Sequence, residues 1–299
     1  MRCVLQDAGL RTPRFSLRFA DQDGGRCAAS FYPCVLKPIR LAASRGVIRA
    51  DDDDEFNAAF TRICELLRRP SVAERSGKDA KKILIEEFIP GKEVALEGLM
   101  VGGQLELLAL FDNPDPLDGP CFAETMYVTP SRLRLGLQRE LVAVAADGAR
   151  ALGLTEGPVH AELRHNDAGI WLVEIAARTI GGLCARTLHF GAHISLEEVV
   201  LRHALQMKVD TKRPDGGASG VTMLPVLKRG YLRGIEGLDA ARLIPGVEHV
   251  VITIGPDTFA EPLPEGDRYL GFIFARGTNP EEVEASLRAS YALLSVHIE

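Results

Sequence analysis

The sequence predicts an α+β protein in which strand-like segments and amphipathic helices form two or three structural units. Residues 157–182 contain two strand-like segments around a short turn, followed by a glycine-rich exit. Four consecutive acids at 51–54 precede an amphipathic pattern of Phe, Ala, Ile and Leu, which is typical of a helix start. Residues 210–217 are polar, contain Pro and Gly, and are the best candidate for a domain boundary.

The segment 157–182 predicts a β-hairpin with acidic side chains on one face. Its first strand, PVHAELR at 158–164, alternates between polar and apolar residues. In an extended chain His160 and Glu162 therefore project to one face, and the apolar residues between and beside them to the other. The sequence NDAG that follows has the residues of a tight turn. Pairing centred on this turn sets Glu162 opposite Glu174 or its neighbour, depending on the register.

Two carboxylates on an otherwise apolar hairpin predict a cation site. Alone, Glu162 and Glu174 would repel each other and raise each other's pKa. A hard divalent cation such as Mg²⁺ takes oxygen ligands, commonly one or two carboxylates plus substrate phosphates. Arg178, beyond the strand end, has the planar fork that holds a phosphate or a carboxylate. The alternative is that both glutamates lie on a solvated face of the sheet.

A strand-end lysine and a loop of small residues predict phosphate contacts. Lys37 ends an apolar strand, and the loop IRLAASRG follows at 39–46. The lysine supplies a point charge and the loop supplies backbone N–H groups, although the Walker A pattern GxxxxGK[ST] is absent. The strand at 83–89 has acids near its end, beside an apolar tip, which suits adenine and ribose. The alternatives are a snorkelling lysine and surface acids.

Three further features complete the outline of the chain. The loop at 112–123, DNPDPLDGPCFA, is too rich in Pro, Gly and Asp to be regular, and long loops between strands are often binding loops.

Ser131 is predicted to cap a long helix that ends near residue 152, and Ser195 to cap another. The strand-like and helical segments beyond 210–217 carry few convergent polar groups, which predicts a structural or gating role.

Composition excludes several classes of protein. With 46% hydrophobic and 25% charged residues, the chain has ordinary globular composition, and its net charge of −6 gives no global attraction to nucleic acid or anionic membranes. Its apolar runs are shorter than the ~20 residues of a membrane-spanning helix. The N-terminus has no apolar signal core, and the six cysteines have no metal-finger spacing. We therefore predict a cytoplasmic location, free thiols, and neither nucleic acid nor membrane as a partner.

The order of these motifs resembles the ATP-grasp superfamily of carboxylate–amine ligases. The resemblance rests on the lysine strand with its loop, on IEEFIPGKEV at 85–94, on a long helix, and on HAEL…VEIAARTIGG at 160–182. The loop PDPLDGPCFAETMYVTPS at 114–131 and the tail with YLGFIFARG at 269–277 resemble the L-amino acid ligase branch.

This resemblance implies an ATP-grasp fold, in which two α+β subdomains clasp ATP, with a small C-terminal α+β domain. The ATP-grasp domain would comprise residues 1–206. Its nucleotide-binding subdomain would span about 13–100 and its metal and catalytic subdomain about 101–206. The C-terminal domain, similar to that of L-amino acid ligases, would comprise residues 207–299.

The resemblance also implies a role for each candidate residue, with ATP and Mg²⁺ or Mn²⁺ as cofactors. Lys37 would bind the α/β phosphates of the nucleotide, and Ser44 and its neighbours the β/γ phosphates. Glu93 would bind the ribose. Adenine would be held by Glu86 and by the backbone of Glu87, Phe88 and Ile89. The metal ligands would be Glu162 and Glu174. Phosphate charge in the transition state would be stabilised by Arg178 and His160. The substrates would face Glu124, Arg178 and the 112–123 loop.

In such enzymes ATP phosphorylates a carboxylate, and an amine then attacks the acyl phosphate to give an amide, ADP and phosphate. The implied substrates are small molecules: an amino acid or other carboxylate, and an amine. The protein mainly positions groups and neutralises charge. No nucleophilic side chain is required, and the sequence has no triad-like set.

The sequence departs from the family pattern at its start. Relatives usually have a preceding α/β domain and a second ATP-binding lysine before the segment that matches Met1-Arg2. Many also have a metal-ligating Asn where this chain has Ala176. We therefore keep three functions open: an active ligase, an N-terminally truncated and inactive ATP-binding remnant or subunit, and a carboxylase-type subunit that uses bicarbonate. A missing N-terminal domain or a second copy of the chain stays open as a partner.

Overall fold

The computed structural model describes residues 1–21, 29–76, 79–190, 194–211 and 217–299. Over these ranges the chain is an α+β protein, as predicted, with sheets of eight, four, three and two strands. The α-helices of this part of the chain are α1 (Arg2–Asp7), α2 (Asp53–Arg68), α3 (Pro70–Ser76), α4 (Leu135–Ala151), α5 (Leu196–Ala204), α6 (Leu238–Arg242) and α7 (Pro280–Ala292). The strands are β1 (Phe15–Phe19), β2 (Cys34–Pro38), β3 (Ile48–Ala50), β4 (Lys82–Glu87), β5 (Lys92–Val101), β6 (Gln104–Asp112), β7 (Met126–Thr129), β8 (Gly157–Asn166), β9 (Gly169–Ala176), β10 (His189–Phe190), β11 (Ile194–Ser195), β12 (Ala218–Leu224), β13 (Gly230–Glu236), β14 (Val247–Ile252), β15 (Phe259–Ala260), β16 (Gly271–Gly277) and β17 (Ser295–Ile298).

The first four strands form a small antiparallel sheet in the order β1-β4-β2-β3. Helix α2 covers one face of this sheet and begins where the acid run predicts, because the Asp52 side chain accepts the N–H of Glu55 at 2.9 Å. The apolar face of α2, with Phe56 as one of its buried residues, packs against Leu36 of β2. Strand alternation then turns Lys37 to the opposite face of the sheet.

The eight-stranded sheet has the order β14-β16-β12-β7-β6-β5-β8-β9. Helix α4 packs on one face of β8 and β9, where Val159 and Leu163 are buried with Leu141 of the helix. His160 and Glu162 therefore lie on the other face, as the alternation predicts. The sheet joins strands from both sides of the predicted 206/207 boundary, and that boundary stays a prediction. Residues 212–216 of the predicted linker lie outside the described residues.

The β8–β9 hairpin has the predicted two-residue turn, with Asn166 paired to Gly169. Its register shifts by one residue between Leu163, which pairs with Leu172, and Glu162, which pairs with Glu174. Val173 is therefore the extra residue of a β-bulge. The bulge resolves the register that the sequence left open, and Glu162 and Glu174 are direct partners.

One predicted helix cap is wrong and one is confirmed. Helix α4 begins at Leu135 with Arg134 at the N-cap, four residues after the predicted position. The Ser131 hydroxyl instead donates to Asp112 at 2.5 Å, because it lies in the turn that follows β7 beside the end of β6. Ser195 does cap α5, since its hydroxyl accepts the N–H of Glu198 at 3.2 Å.

The C-terminal part adds β12, β14 and β16 to the large sheet and packs α7 against them. Strands β13, β15 and β17 form a separate three-stranded sheet, which the sequence analysis did not predict. Among the residues that the structure describes, none of the helices combines the length and apolar character that a membrane crossing requires.

Candidate active site

One cavity of about 920 Å³ between the small and the large sheet brings together every predicted site residue. Its walls include Lys37, Ser44, Glu86, Glu87, Phe88, Ile89, Glu93, Glu124, His160, Glu162, Glu174 and Arg178. The lysine strand, the 39–46 loop and the acidic hairpin thus face the same space, although they are distant in sequence. The individual roles of these residues stay predictions.

At the end of the cavity beside β2 and β4, Glu86 is the buried counter-ion of two basic side chains. One of its oxygens lies 2.8 Å from Lys37 Nζ, and the other accepts the Nε–H of Arg2. Burial alone would raise the pKa of Glu86, but the charges of Lys37 and Arg2 outweigh burial and hold this pKa below its ordinary value. The carboxylate therefore orients Lys37, and its predicted contact with adenine remains a prediction.

Arg2 also joins the two sheets. Its guanidinium donates to the carbonyl of Leu172 at 3.0 Å and to that of Val173, both in β9 of the large sheet. Because the same guanidinium bonds to Glu86 of β4, the small sheet is tied to the hairpin at the back of the cavity. Arg2 is 5% exposed, so these contacts are shielded from water.

The predicted adenine segment is fixed by its backbone. The N–H of Glu87 donates to the carbonyl of Arg14 at 2.9 Å, and that of Phe88 to Pro33 at 3.0 Å. The carbonyl of Ile89 accepts a hydrogen bond from the guanidinium of Arg164 at 2.8 Å. The Phe88 ring lines the cavity, with the Arg49 guanidinium 4.1 Å from its centroid. Contact of this segment with adenine remains a prediction.

The 39–46 loop has a tightly constrained backbone. Ala43 and Ser44 have φ values of 58° and 53°, and Gly46 has a φ of 74°. A Cβ at position 46 would lie 2.7 Å from Cγ of Pro38, so only glycine fits there. The loop therefore approaches the cavity in a conformation that few sequences adopt.

Three carboxylates converge at the base of the cavity. Glu93, Glu124 and Glu162 each offer an oxygen, and these oxygens all lie within 4.8 Å of one another. Burial and then the charge of Glu162 raise the pKa of Glu93, while burial, Glu162 and Glu93 raise that of Glu124 to about 8. Arg164 offsets part of this charge, with its Nε 2.7 Å from Glu93. The geometry thus adds Glu93 and Glu124, predicted for ribose and substrate, to the surroundings of Glu162.

Glu174 faces Glu162 from β9, and its Oε1 lies 3.5 Å from a guanidinium nitrogen of Arg178. The charge of Glu162 and then burial raise the pKa of Glu174. This set of donors fits Mg²⁺ or Mn²⁺, because all are carboxylate oxygens whose mutual repulsion a divalent cation would relieve. Of the two predicted ligands, Glu162 lies in the converging set with Glu93 and Glu124. Glu174 is the strand partner of Glu162, and its role as a ligand stays a prediction.

Glu97, a buried carboxylate that was not among the predicted site residues, contacts the His160 side of the cavity. Its Oε1 contacts Nδ1 of His160, and its Oε2 accepts the N–H of Ile180 at 3.0 Å. Nε2 of His160 lies 3.4 Å from Glu162. Burial disfavours the imidazolium, but Glu162 and Glu97 outweigh it and raise the pKa of His160 to about 10. Glu97 therefore positions both the His160 ring and the backbone of the loop that carries Arg178.

Three residues of the site were not among those predicted: Glu97, Arg164 and Arg2. The first two left a signal in the sequence. Glu93 and Glu97 are four residues apart in one strand, so alternation sets them on the same face. Arg164 lies on the polar face of β8 that the hairpin analysis already defined. Arg2 left no such signal, because its partners Glu86 and Leu172 are remote in the chain.

The far end of the cavity is lined by aromatic and apolar side chains around Glu124. Tyr127 is 2% exposed and lines this end. Met223, Tyr269 and Phe272 complete the wall from the C-terminal part of the chain. The C-terminal part thus contributes directly to the cavity.

Comparison with protein families agrees with this architecture. The ATP-grasp domain family matches residues 30–187, which is more than half of the chain. The chain therefore belongs to the ATP-grasp family. L-amino acid ligase C-terminal domain 2 matches residues 222–299. The resemblance that the sequence motifs indicated is thereby confirmed, both for the superfamily and for the L-amino acid ligase branch.

Individual relatives are consistent with this assignment. Alanine–anticapsin ligase of Bacillus subtilis is 30% identical over 164 residues, which are 50% of this chain and 34% of that protein. D-alanine–D-alanine ligase of Cupriavidus metallidurans is 30% identical over 152 residues, 48% of this chain and 42% of that protein. The crystal structure of an L-amino acid ligase from Bacillus licheniformis matches with a TM-score of 0.82 and 27% identity, over 100% of this chain and 72% of that one. The chain thus matches less than half of the length of these two curated relatives.

Proposed function

We propose that this chain is the ATP-binding and catalytic part of a ligase that joins the carboxylate of an amino acid to an amine. The observation that carries the proposal is that Lys37, Glu162 and Glu174 line one cavity of about 920 Å³. Such a volume lies at the upper end of the ~300–1,000 Å³ typical of ligand pockets, which suits a nucleotide together with a small substrate.

In this proposal the nucleotide lies between the two sheets. Lys37, oriented by Glu86, and the N–H groups of the 39–46 loop bind its phosphates. Glu162 and Glu174, with Glu93 and Glu124 beside them, would hold Mg²⁺, which when bound supplies positive charge against the phosphates. The protein's own contribution is a fixed array of charges that needs no rearrangement during the reaction.

The reaction has two displacements. A carboxylate oxygen of the amino acid attacks the γ-phosphorus of ATP, and ADP leaves. The nitrogen of the amine then attacks the acyl carbon, phosphate leaves, and the nitrogen gives up a proton to form the amide. Arg178 and the protonated His160 offset the negative charge on the transferred phosphoryl group. The side chains position the reactants and form no covalent intermediate with them.

The acceptor and donor substrates bind at the far end of the cavity, next to Glu124, Arg178 and the 112–123 loop. This loop is anchored to the base of the cavity, because Arg164 donates to the carbonyl of Leu117. An amino acid substrate has an ammonium group that suits half-buried Glu124 and a carboxylate that suits Arg178. The names of the relatives, alanine–anticapsin and D-alanine–D-alanine ligase, support a substrate of this class.

The test is ADP release by the purified chain with Mg²⁺ and pairs of amino acids, with ATP affinity measured separately by calorimetry. We expect ADP formation that depends on both an amino acid and an amine, and its loss in Glu174→Gln. Turnover that survives Glu174→Gln would contradict the metal assignment.

Two further measurements, together with those above, separate the alternatives. ATP binding without turnover, even when an N-terminal domain is supplied in trans, would favour the inactive remnant. Incorporation of labelled bicarbonate would favour a carboxylase-type subunit. Absence of ATP binding would overturn the proposal.

A further inference from the structure

A segment of the C-terminal part, residues 261–267 (EPLPEGD), contacts the 39–46 loop directly. The backbone N–H of Gly46 donates to the carbonyl of Pro264 at 2.8 Å. The Nε–H of Arg45 donates to the carbonyl of Glu265 at 2.8 Å. The end of the loop that is proposed to bind phosphates is therefore held by main-chain atoms of a different part of the molecule.

Ion pairs from helix α2 and its C-cap surround these main-chain contacts. The guanidinium of Arg62 forms a two-point contact with Glu265, at 2.5 and 2.8 Å. Arg69, which follows the helix, lies 2.7 Å from Glu261. Helix α2 and its C-cap thus present basic side chains to an acidic segment, and the two are complementary in charge.

The 39–46 loop needs such external support. Ala43 and Ser44 lie in the left-handed region of φ, at 58° and 53°, which L-residues with a Cβ seldom occupy. Conformations of this kind persist when the surroundings hold them in place. The hydrogen bonds from Gly46 and Arg45 fix the end of the loop immediately after these two residues.

The ion pairs of the contact and its main-chain hydrogen bond differ in exposure. Arg62 is 49% exposed in its pair with Glu265, whereas Gly46 and Pro264 are buried. Exposed ion pairs contribute little to stability and weaken with salt, so the charges around the hydrogen bond can be changed without unfolding either part.

We propose that the 261–267 segment is a latch that holds the 39–46 loop over the nucleotide end of the cavity, with Arg62 and Glu265 as its positioning residues. This inference rests on the proposed ATP site and gives the C-terminal part a role in nucleotide binding. Arg62 acts through the loop that it holds in place.

The experiment is a charge-reversal cycle in the full chain: Arg62→Glu, Glu265→Arg and the double variant. Arg68→Glu is the matched control, because Arg68 is exposed on the same helix and forms no ion pair with the described residues. Hydrogen–deuterium exchange of residues 39–46 is measured without nucleotide, and the dissociation constant of ATP by calorimetry. A thermal melt of each variant checks that it is folded, and Arg62→Gln serves as a milder variant if a reversal does not fold.

Each single reversal sets like charges against each other, so we expect faster exchange of the 39–46 loop and roughly tenfold weaker ATP binding. The double variant should recover to within about threefold of the wild type, and Arg68→Glu should match it. Folded single variants with unchanged loop exchange, or with faster exchange and unchanged ATP affinity, would overturn the latch. So would a double variant as impaired as either single one. If the wild type binds no ATP, the proposed function fails, whereas loop exchange still tests the contact itself.

Discussion

Glu162 and Glu174 are direct partners across the β8–β9 hairpin because Val173 is an extra residue in β9. Regular pairing from the Asn166–Gly169 turn would set Glu162 opposite Val173 and Glu174 opposite Ala161, on the face that packs against α4. A register shift of one residue reverses which face a side chain points to. The bulge therefore directs Glu174 into the cavity instead of the core.

We expect Glu97→Gln to lower kcat for ADP release by up to roughly 100-fold, the lower end of the loss when one preorganised charge-stabilising group is removed. The amide oxygen can still accept the N–H of Ile180, but the charge that holds the His160 imidazolium is lost. The measurement is steady-state ADP release at varied ATP and Mg²⁺, in which KM for ATP should change much less than kcat. Glu106→Gln, an exposed position on the neighbouring strand β6, is the control. An unchanged kcat in a folded Glu97→Gln protein would show that Glu97 only fills space.

Two arginine–glutamate pairs, one buried and one exposed, allow a matched test of stability. Arg2→Met should lower the free energy of unfolding by about 2 kcal/mol, because buried Glu86 keeps only Lys37 as a partner and the carbonyls of β9 lose a donor. Arg14→Met removes the exposed pair with Glu87, at 2.9 Å, and should lower the free energy of unfolding much less than Arg2→Met does. Urea denaturation of both variants measures the difference. Equal effects would contradict the role of Arg2 as a bridge between the sheets.

Glu124→Gln should stabilise the metal-free protein at alkaline pH and weaken its affinity for Mg²⁺. Burial and the charges of Glu162 and Glu93 raise the pKa of Glu124 from its ordinary value of 4.5 to about 8. A carboxyl whose pKa is raised by folding binds more protons when folded, so its contribution to stability falls as pH rises from about 4.5 to 8. Glu124→Gln does not undergo this loss of stability. Its stability relative to the wild type should therefore increase as pH rises from about 4.5 to 8.

Thermal melts in EDTA between pH 5 and 9 measure this advantage, and calorimetry measures the affinity for Mg²⁺. Glu140→Gln, exposed on α4, is the control and should follow the wild type. A constant difference between Glu124→Gln and the wild type across the pH range would contradict the raised pKa. Unchanged Mg²⁺ affinity would remove Glu124 from the cation site.

Local patterns in the sequence predicted the elements whose signals are short-range. The alternation around His160 and Glu162, the NDAG turn and the acid run before α2 each depend on neighbouring residues, and all three match the structure. The Val173 bulge has no marker of its own, since it depends on the packing of both strands on α4. The pairing of Arg2 with Glu86 also escaped prediction, because it joins residues that are 84 positions apart.

The missed strands have a different cause. Strand β13 (Gly230–Glu236) contains two glycines and charged residues without a clear alternation, and β17 (Ser295–Ile298) is only four residues long. Each depends on the other, since they pair over the range from Leu232 to Glu236. Short strands of this kind are stable only when they are paired with a neighbouring strand.

The large sheet continues from β7 to β12 through the pairing of Val128 with Gly220 and its neighbours. A polypeptide that stopped at residue 206 would leave the backbone N–H and C=O groups of β7 without their partner strand, along with the apolar side chains beside them. Exposed sheet edges of this type pair with strands of other polypeptide chains. Such a fragment would be expected to self-associate and precipitate, and coexpression with the missing 93 residues in trans would be the way to keep it in solution.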